Sequence, residues 1–155
     1  ASGGTVARVF HSPDQGKQWE VFDTPLMHGS AMQGIFTMDF YNETIGVIGG
    51  GDYDQPQQKE GTLAFTQDGG KSWQLPEGEL GDSPGFVSCV KFVHGGGGKH
   101  VITVGPNGVF YSWNAGQQWK QLSSFSGLYT FDFIDESTLI AAGKNYVLKL
   151  NLTGD

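Results

Sequence analysis

Positive charge is scarce in this chain. Nine Lys plus Arg stand against sixteen Asp plus Glu, a formal net charge of −7. Phosphate backbones are met by basic faces, so the balance argues against nucleic acid as a partner. It argues equally against an anionic membrane surface. Arg8 is the one arginine of the sequence. No apolar run approaches the roughly 18 residues that a spanning helix needs, so membrane insertion is not expected. Cysteine is almost missing too. Cys89 is alone, which excludes an internal disulfide. It sits in an alternating, strand-like run and reads as a small buried hydrophobe rather than a nucleophile. Long amphipathic runs of helix formers are absent. The chain begins at Ala1 with no leader-like segment; a removed targeting peptide and a fragment are both compatible with that.

What is abundant is glycine, 25 of 155 residues, and aromatic side chains, 13%. That mix suits many short strands joined by tight turns, in a chain long enough for one domain with a real core. One pattern recurs: [Ser/Thr]-x-[Asp/Asn]-x-Gly-x-x-Trp. It runs through Ser12, Asp14, Gly16 and Trp19, then through Thr66, Asp68, Gly70 and Trp73, and then, weakened, through Ser112, Asn114, Gly116 and Trp119. The tryptophans are 54 and then 46 residues apart, a period that signals blades or solenoid turns. Each position has a task. The hydroxyl and the carboxylate accept backbone N–H groups a few residues on and fold a tight turn. The glycine supplies a positive φ. The tryptophan lays its apolar surface on the sheet, leaving the indole N–H free for a turn carbonyl. A calcium loop would need more oxygen ligands and a distal Glu, which are absent. Asn114 offers one neutral acceptor where Asp offers two charged ones, so the third turn is expected to be held less tightly.

Between these turns the chain reads as short strands. Residues 5–11 and 18–22 flank the first turn, and 23–34 form a connecting loop. The second unit predicts strands at 34–41, 45–49 and 62–66, with a fourth starting at 73–75 and a polar loop at 50–61. The third predicts strands at 86–93, 100–104, 109–112 and 118–122. The fourth predicts strands at 128–134, 138–142 and 146–152, and stops before any such turn. That makes thirteen strands and four units of a single segment 1–155: a partial blade at 1–25, blades at 34–77 and 86–123, and a partial blade at 128–152.

The recurring turn resembles the Asp-box, or BNR repeat, of sialidases, sortilin-type receptors, some glycanases and the photosystem II assembly and stability factors. There it joins the third and fourth strands of a propeller blade and serves the fold, not catalysis. Phe36-x-x-Asp39-Phe40 with Gly46–Gly49, and Phe131-Asp132-Phe133 with Ile140–Gly143, make the stability-factor type the most similar. The resemblance covers essentially the whole chain. It implies an all-β propeller of four-stranded antiparallel blades, with about three to three and a half blades here as part of a larger ring of about seven. It also implies that the remaining blades come from a longer chain or from a second copy. Propellers of this kind occur in many non-photosynthetic bacteria, and an extracytoplasmic location, periplasmic or secreted, is expected.

In such propellers the loops joining strands two to three and four to one gather on one rim, opposite the box turns. This places the loop 49–61 on the rim, with Asp52, Tyr53 and Asp54, together with Glu60, as candidate ligands for a cation or a sugar hydroxyl; a solvated insertion is the plainer reading. The loops 27–33, with His28, and 77–85 share the rim. His28 has no second His or Cys at metal spacing and reads as a surface residue. Trp113 is a candidate for stacking on a sugar or partner, though packing on Tyr111 accounts for it as well. The run 94–100 fails as a phosphate loop, with Phe92 in place of the first glycine and His100 in place of Ser or Thr. Asn42-Glu43-Thr44 and Asn151-Leu152-Thr153 fit the glycosylation pattern, without consequence in a bacterium. A sialidase needs several arginines for its substrate carboxylate, and one is present. Nothing marks a carboxylate pair for glycoside hydrolysis or a nucleophile elbow. The expectation is a non-catalytic scaffold that binds a protein or glycan through its rim, without catalytic residues, metal or cofactor. The alternative is a piece of a secreted glycoside hydrolase, sialidase- or glycanase-like, with its catalytic residues elsewhere.

Overall fold

The structure, a computed structural model, describes residues 1–78 and 81–152. Within them every regular element is a strand, and twelve strands form four antiparallel sheets in chain order. The first sheet pairs β1 (Arg8–His11) with β2 (Glu20–Asp23). The second orders β3 (Gln33–Phe40), β4 (Gly46–Asp52) and β5 (Leu63–Thr66). The third is β6 (Cys89–Phe92), β7 (Val101–Gly105), β8 (Gly108–Ser112) and β9 (Lys120–Ser123). The fourth is β10 (Leu128–Asp135), β11 (Thr138–Gly143) and β12 (Val147–Asn151).

The apolar core lies between sheets, and strand alternation explains how. All seven residues of β4 are buried. Ile48 joins Ala7, Val9, Leu26, Ala64 and Trp73 in one cluster, while its neighbour Val47 joins Leu63, Val87, Val90 and Trp119 in the next. A central strand that feeds two cores must be apolar on both faces, which is why it reads as a continuous run. The third and fourth sheets close over Ile102, Val104, Leu128 and Leu139 in the same way.

The first strands of successive sheets are also stitched to one another. Thr37 Oγ1 on β3 accepts the Val90 N–H of β6 at 3.2 Å, and Asp39 Oδ2 accepts the Phe92 N–H at 2.8 Å. From β6, the Lys91 ammonium reaches Asp132 Oδ1 on β10 at 2.9 Å. Cys89 is buried at the same seam, as its neighbourhood suggested, with its thiol 3.9 Å from the Phe131 carbonyl.

All three box turns adopt one hydrogen-bonding scheme. The hydroxyls of Ser12, Thr66 and Ser112 accept the N–H of Gly16, Gly70 and Gly116 at 2.6, 3.0 and 2.9 Å. The side chains of Asp14, Asp68 and Asn114 accept the N–H of Gln18, Ser72 and Gln118 at 2.8, 2.9 and 2.8 Å. Trp73 and Trp119 donate their indole N–H to the Gly70 and Gly116 carbonyls at 3.0 and 2.8 Å and are each 7% exposed.

The third turn makes the shared bonds but lacks two that Asp68 adds in the second, from the Lys71 N–H at 3.0 Å and the Ser72 hydroxyl at 2.6 Å, so Asn114 is held by fewer bonds than Asp68. Gly16, Gly70 and Gly116 have the expected positive φ, 89°, 90° and 80°, and Gln15 and Ala115 just before two of them share it at 62° and 54°. Several expectations need correction. The first turn differs in its tryptophan: Trp19 is 60% exposed. The fourth strand expected at 73–75 shrinks to a single bridge between Phe65 and Gln74, since Pro76 lacks the N–H to continue it. The strand expected to end at Gly49 runs on to Asp52, and most others shift by one to three residues. Asn42 Oδ1 is spent inside its turn, accepting the Thr44 and Ile45 N–H groups at 2.9 and 2.7 Å. The second glycosylation pattern reaches Thr153, outside the described residues. So does Thr153-Gly154-Asp155, which carries the first three positions of the box pattern and was passed over in the sequence.

Four outcomes follow for denaturant unfolding. Trp119→Ala should lose about 3–5 kcal/mol, as truncation of a large buried ring does, while Trp19→Ala should lose under about 1 kcal/mol. Ala115→Gly should gain about 0.5–1 kcal/mol by relieving a left-handed alanine. Gly116→Ala should destabilise, because φ is +80° and a Cβ would lie 2.8 Å from the Phe65 ring.

Candidate functional site

The polar loop after β4 meets the loops before β3 and before β6, as expected for one rim. The Tyr53 N–H donates to the Met32 carbonyl at 3.0 Å, Met27 N–H to the Gly61 carbonyl at 2.8 Å, and Phe86 N–H to the Pro56 carbonyl at 2.9 Å. The Lys59 ammonium donates to the Gly81 carbonyl. Part of the acidic loop 77–85, residues 79 and 80, lies outside the described residues. On the other side of the sheets the boxes meet the first turn of their own sheet. Gly69 N–H donates to the Thr44 carbonyl at 2.9 Å and Ala115 N–H to the Lys99 carbonyl at 2.8 Å.

Asn107, in the tight turn between β7 and β8, is the joint of the rim. Its amide donates to the Pro56 and Pro84 carbonyls at 2.7 and 2.9 Å, and its side-chain oxygen accepts from Gln57 Nε2 at 2.5 Å. One amide therefore ties loops of two sheets and the linker between them. Its Pro-Asn-Gly setting announces a turn but gives no hint of this bridging role.

The candidate ligands fall in different places. Asp52 is at the end of β4, 5% exposed. Its Oδ2 accepts from Gln33 Nε2 at 2.8 Å and its Oδ1 from the Asp54 N–H at 2.9 Å. The Gln33 bond is the main reason its carboxyl is held below the usual range; burial opposes it and the loop N–H groups add to it. Both oxygens are thus engaged in shaping the loop. Tyr53 and Asp54 are exposed at its tip. His28 is exposed on the neighbouring loop, its Nδ1 donating to the Leu26 carbonyl at 2.7 Å, which fixes the proton on Nδ1. Trp113 lies apart from these, in the third box, its ring tilted 41° to Tyr111 at 6.2 Å. The structure therefore brings Asp52, Tyr53 and Asp54 together near the His28 loop and leaves Trp113 on the box side. Among the described residues no group of three or more His, Cys, Asp or Glu could hold a metal ion.

Two further residues of the rim were missed in the sequence. Phe36 is the extra residue of a bulge in β3, between Ile35 and Thr37, which pair with Gly50 and Gly49. Phe86, in the linker before β6, is buried beneath it with ring centroids 4.9 Å apart. A bulge cannot be read from alternation, because it is an interruption of alternation.

No protein-family model matches the chain, and no curated protein matches it. Its fold is similar to that of solved structures. A structure described as YCF48 bound to D1 peptide has a TM-score of 0.68 and 18% identity, covering 98% of this chain and 47% of that one. YCF48 from Cyanidioschyzon merolae has a TM-score of 0.61 and 16% identity, covering 95% and 45%. An ancestral GH74 enzyme has a TM-score of 0.59 and 19% identity, covering 94% and 20%. The chain thus spans about half the length of the YCF48 chains it matches. These likenesses are of fold. The fold is that of a YCF48-like β-propeller, in keeping with the resemblance to photosystem II assembly-factor propellers drawn from the sequence.

Because the Asp52 carboxyl is depressed in the folded chain, its contribution is present above the ordinary value of 3.8 and is lost as pH falls through its folded value. The protection of the Asp54 N–H against hydrogen exchange, taken relative to an unprotected amide at the same pH, should therefore be greatest near neutrality and fall on acidification through the Asp52 titration. Asp52→Asn should remove most of that pH dependence.

Proposed function

We propose that this chain is part of a rigid, non-catalytic β-propeller scaffold that binds a protein partner through its rim loops. The observation that carries the reading is the bracing of the rim. Loops of two sheets and the linker between them converge on Asn107, and the 53–61 loop is further pinned by Asp52 and by the Met32 carbonyl. A surface fixed in advance loses little conformational freedom on binding, which favours recognition. The YCF48 neighbour, whose description places a D1 peptide on it, supports a protein rather than a glycan as partner. In this reading further blades, from a longer chain or a second copy, complete the ring. Asp52, the buried carboxylate among the described rim residues, has one oxygen on Gln33 of β3 and the other on the loop and is not offered to a glycosidic bond.

Photo-crosslinking separates the two sides of the sheets. A crosslinker at Asp54 should capture a protein partner, and one at Trp113 should not. Hydrolysis of an aryl glycoside or polysaccharide by the chain, lost in Asp54→Asn, would overturn the scaffold reading in favour of a glycoside hydrolase.

A further inference from the structure

We infer that the rim carries an apolar notch, formed by Met32, Phe36 and Tyr53 over Phe86, that takes one apolar side chain of a positively charged peptide segment. The inference rests on the rim reading above and names where on the rim the partner anchors.

The notch is built rather than incidental. Phe86 is 3% exposed, and two rings stand edge-on to it: Phe36, 51% exposed, at 4.9 Å and 69°, and Tyr53, 56% exposed, at 5.8 Å and 84°. Large apolar rings that stay in water beside a buried one are a patch awaiting cover. Each is placed by backbone. Phe36 is turned out of the β3 alternation by the bulge, the kind of insertion that re-aims a side chain beside a site. Tyr53 is held by its own N–H on the Met32 carbonyl and by the Asp52 clamp one residue before it. Met32, also exposed, stands beside Tyr53 through that backbone bond. The bulge recurs in the fourth sheet. Tyr129 is the extra residue between Leu128 and Thr130, which pair with Gly143 and Ala142 as Ile35 and Thr37 pair with Gly50 and Gly49.

The chemistry of the notch selects its occupant. A pyranose needs a flat aromatic platform and free planar polar groups beside it. Here both exposed rings are edge-on to their floor, and the Asp52 carboxylate beside Tyr53 is buried and engaged on both oxygens, by Gln33 and the Asp54 N–H. An apolar side chain fits between the rings without asking for hydrogen bonds. Charge sets the flanks. Asp54 and Glu60 are exposed on the same loop, the Lys59 ammonium is engaged by the Gly81 carbonyl, and the chain carries −7 overall. Lysine or arginine on either side of the anchor would be drawn in and oriented.

Fluorescence anisotropy with three labelled peptides tests this: one phenylalanine among lysines, the same peptide with glycine for phenylalanine, and the same with glutamates for lysines. The intact chain should bind the first about tenfold or more tightly than either of the others. Phe36→Ala and Tyr53→Ala, both at exposed rings and so expected to fold, should each erase the preference for phenylalanine, and Trp113→Ala should keep it. Equal affinity for the phenylalanine and glycine peptides overturns the notch. So does a preference that survives both ring substitutions, and so does a cello-oligosaccharide that binds where no peptide does. If the preference is lost instead in His28→Ala or Asp82→Asn, the rim stands and the notch falls. If Trp113→Ala alone removes binding, both fall.

Discussion

The whole array depends on a hydroxyl that accepts the backbone N–H four residues ahead. In Ser12, Thr66 and Ser112 that bond closes the corner, and the Asp or Asn two positions on closes it a second time. The corner forces two successive residues into left-handed backbone, Gln15-Gly16, Gly69-Gly70 and Ala115-Gly116. The chain then leaves in the one direction that drops the following tryptophan toward the preceding sheet. Trp73 meets Ala7, Val9 and Leu26 there, and Trp119 meets Val47 and Leu63. A local turn thereby sets the spacing between sheets. The bond is worth on the order of 1 kcal/mol by itself, but it positions a ring whose burial is worth several times that.

This division explains what the sequence could and could not tell. The box was legible because its chemistry is local: donor, acceptor, glycine and indole all fall within eight residues. Strands such as β4 and β7 were legible because they are buried on both faces. The fourth strand of the second sheet was not, because its loss turns on Pro76 meeting the edge of β5, a pairing between segments. Asn107 and Phe36 were missed for the same reason: each acts on loops far from it in sequence or through a slip in register. A second repeat was present and only half noticed. Phe36-Thr37-Met38-Asp39-Phe40, Ser88-Cys89-Val90-Lys91-Phe92 and Tyr129-Thr130-Phe131-Asp132-Phe133 occupy matching places on β3, β6 and β10 and their approaches.

That second repeat does for the first strands what the box does for the last. Thr37 and Asp39 reach forward to N–H groups of β6, and Cys89 and Lys91 reach forward to β10. Where the second and fourth sheets carry aspartate, the third carries Lys91, so its neighbours on both sides, Asp39 and Asp132, raise its affinity for a proton, Asp132 most of all. Alternating sign lets three charged groups sit at one level without repulsion. An aspartate in all three places would lack the ion pair that joins β6 to β10.

The two ends of each sheet have accordingly been given different work. On the box side the carboxylate or amide of the box is consumed by the turn itself; Asp68 accepts from Ser72, Thr66 and Lys71, which holds its carboxyl far below the ordinary range. On the rim the backbone is braced just as firmly, but by Asp52 and Asn107 from beneath. The rings of Phe36 and Tyr53 are left facing water. Exposed aromatic surface on a rigid frame stabilises a folded chain little, and a bulge that turns Phe36 outward gives up ladder hydrogen bonds to do so. A feature that detracts from the fold and adds to a surface is best accounted for by what that surface meets.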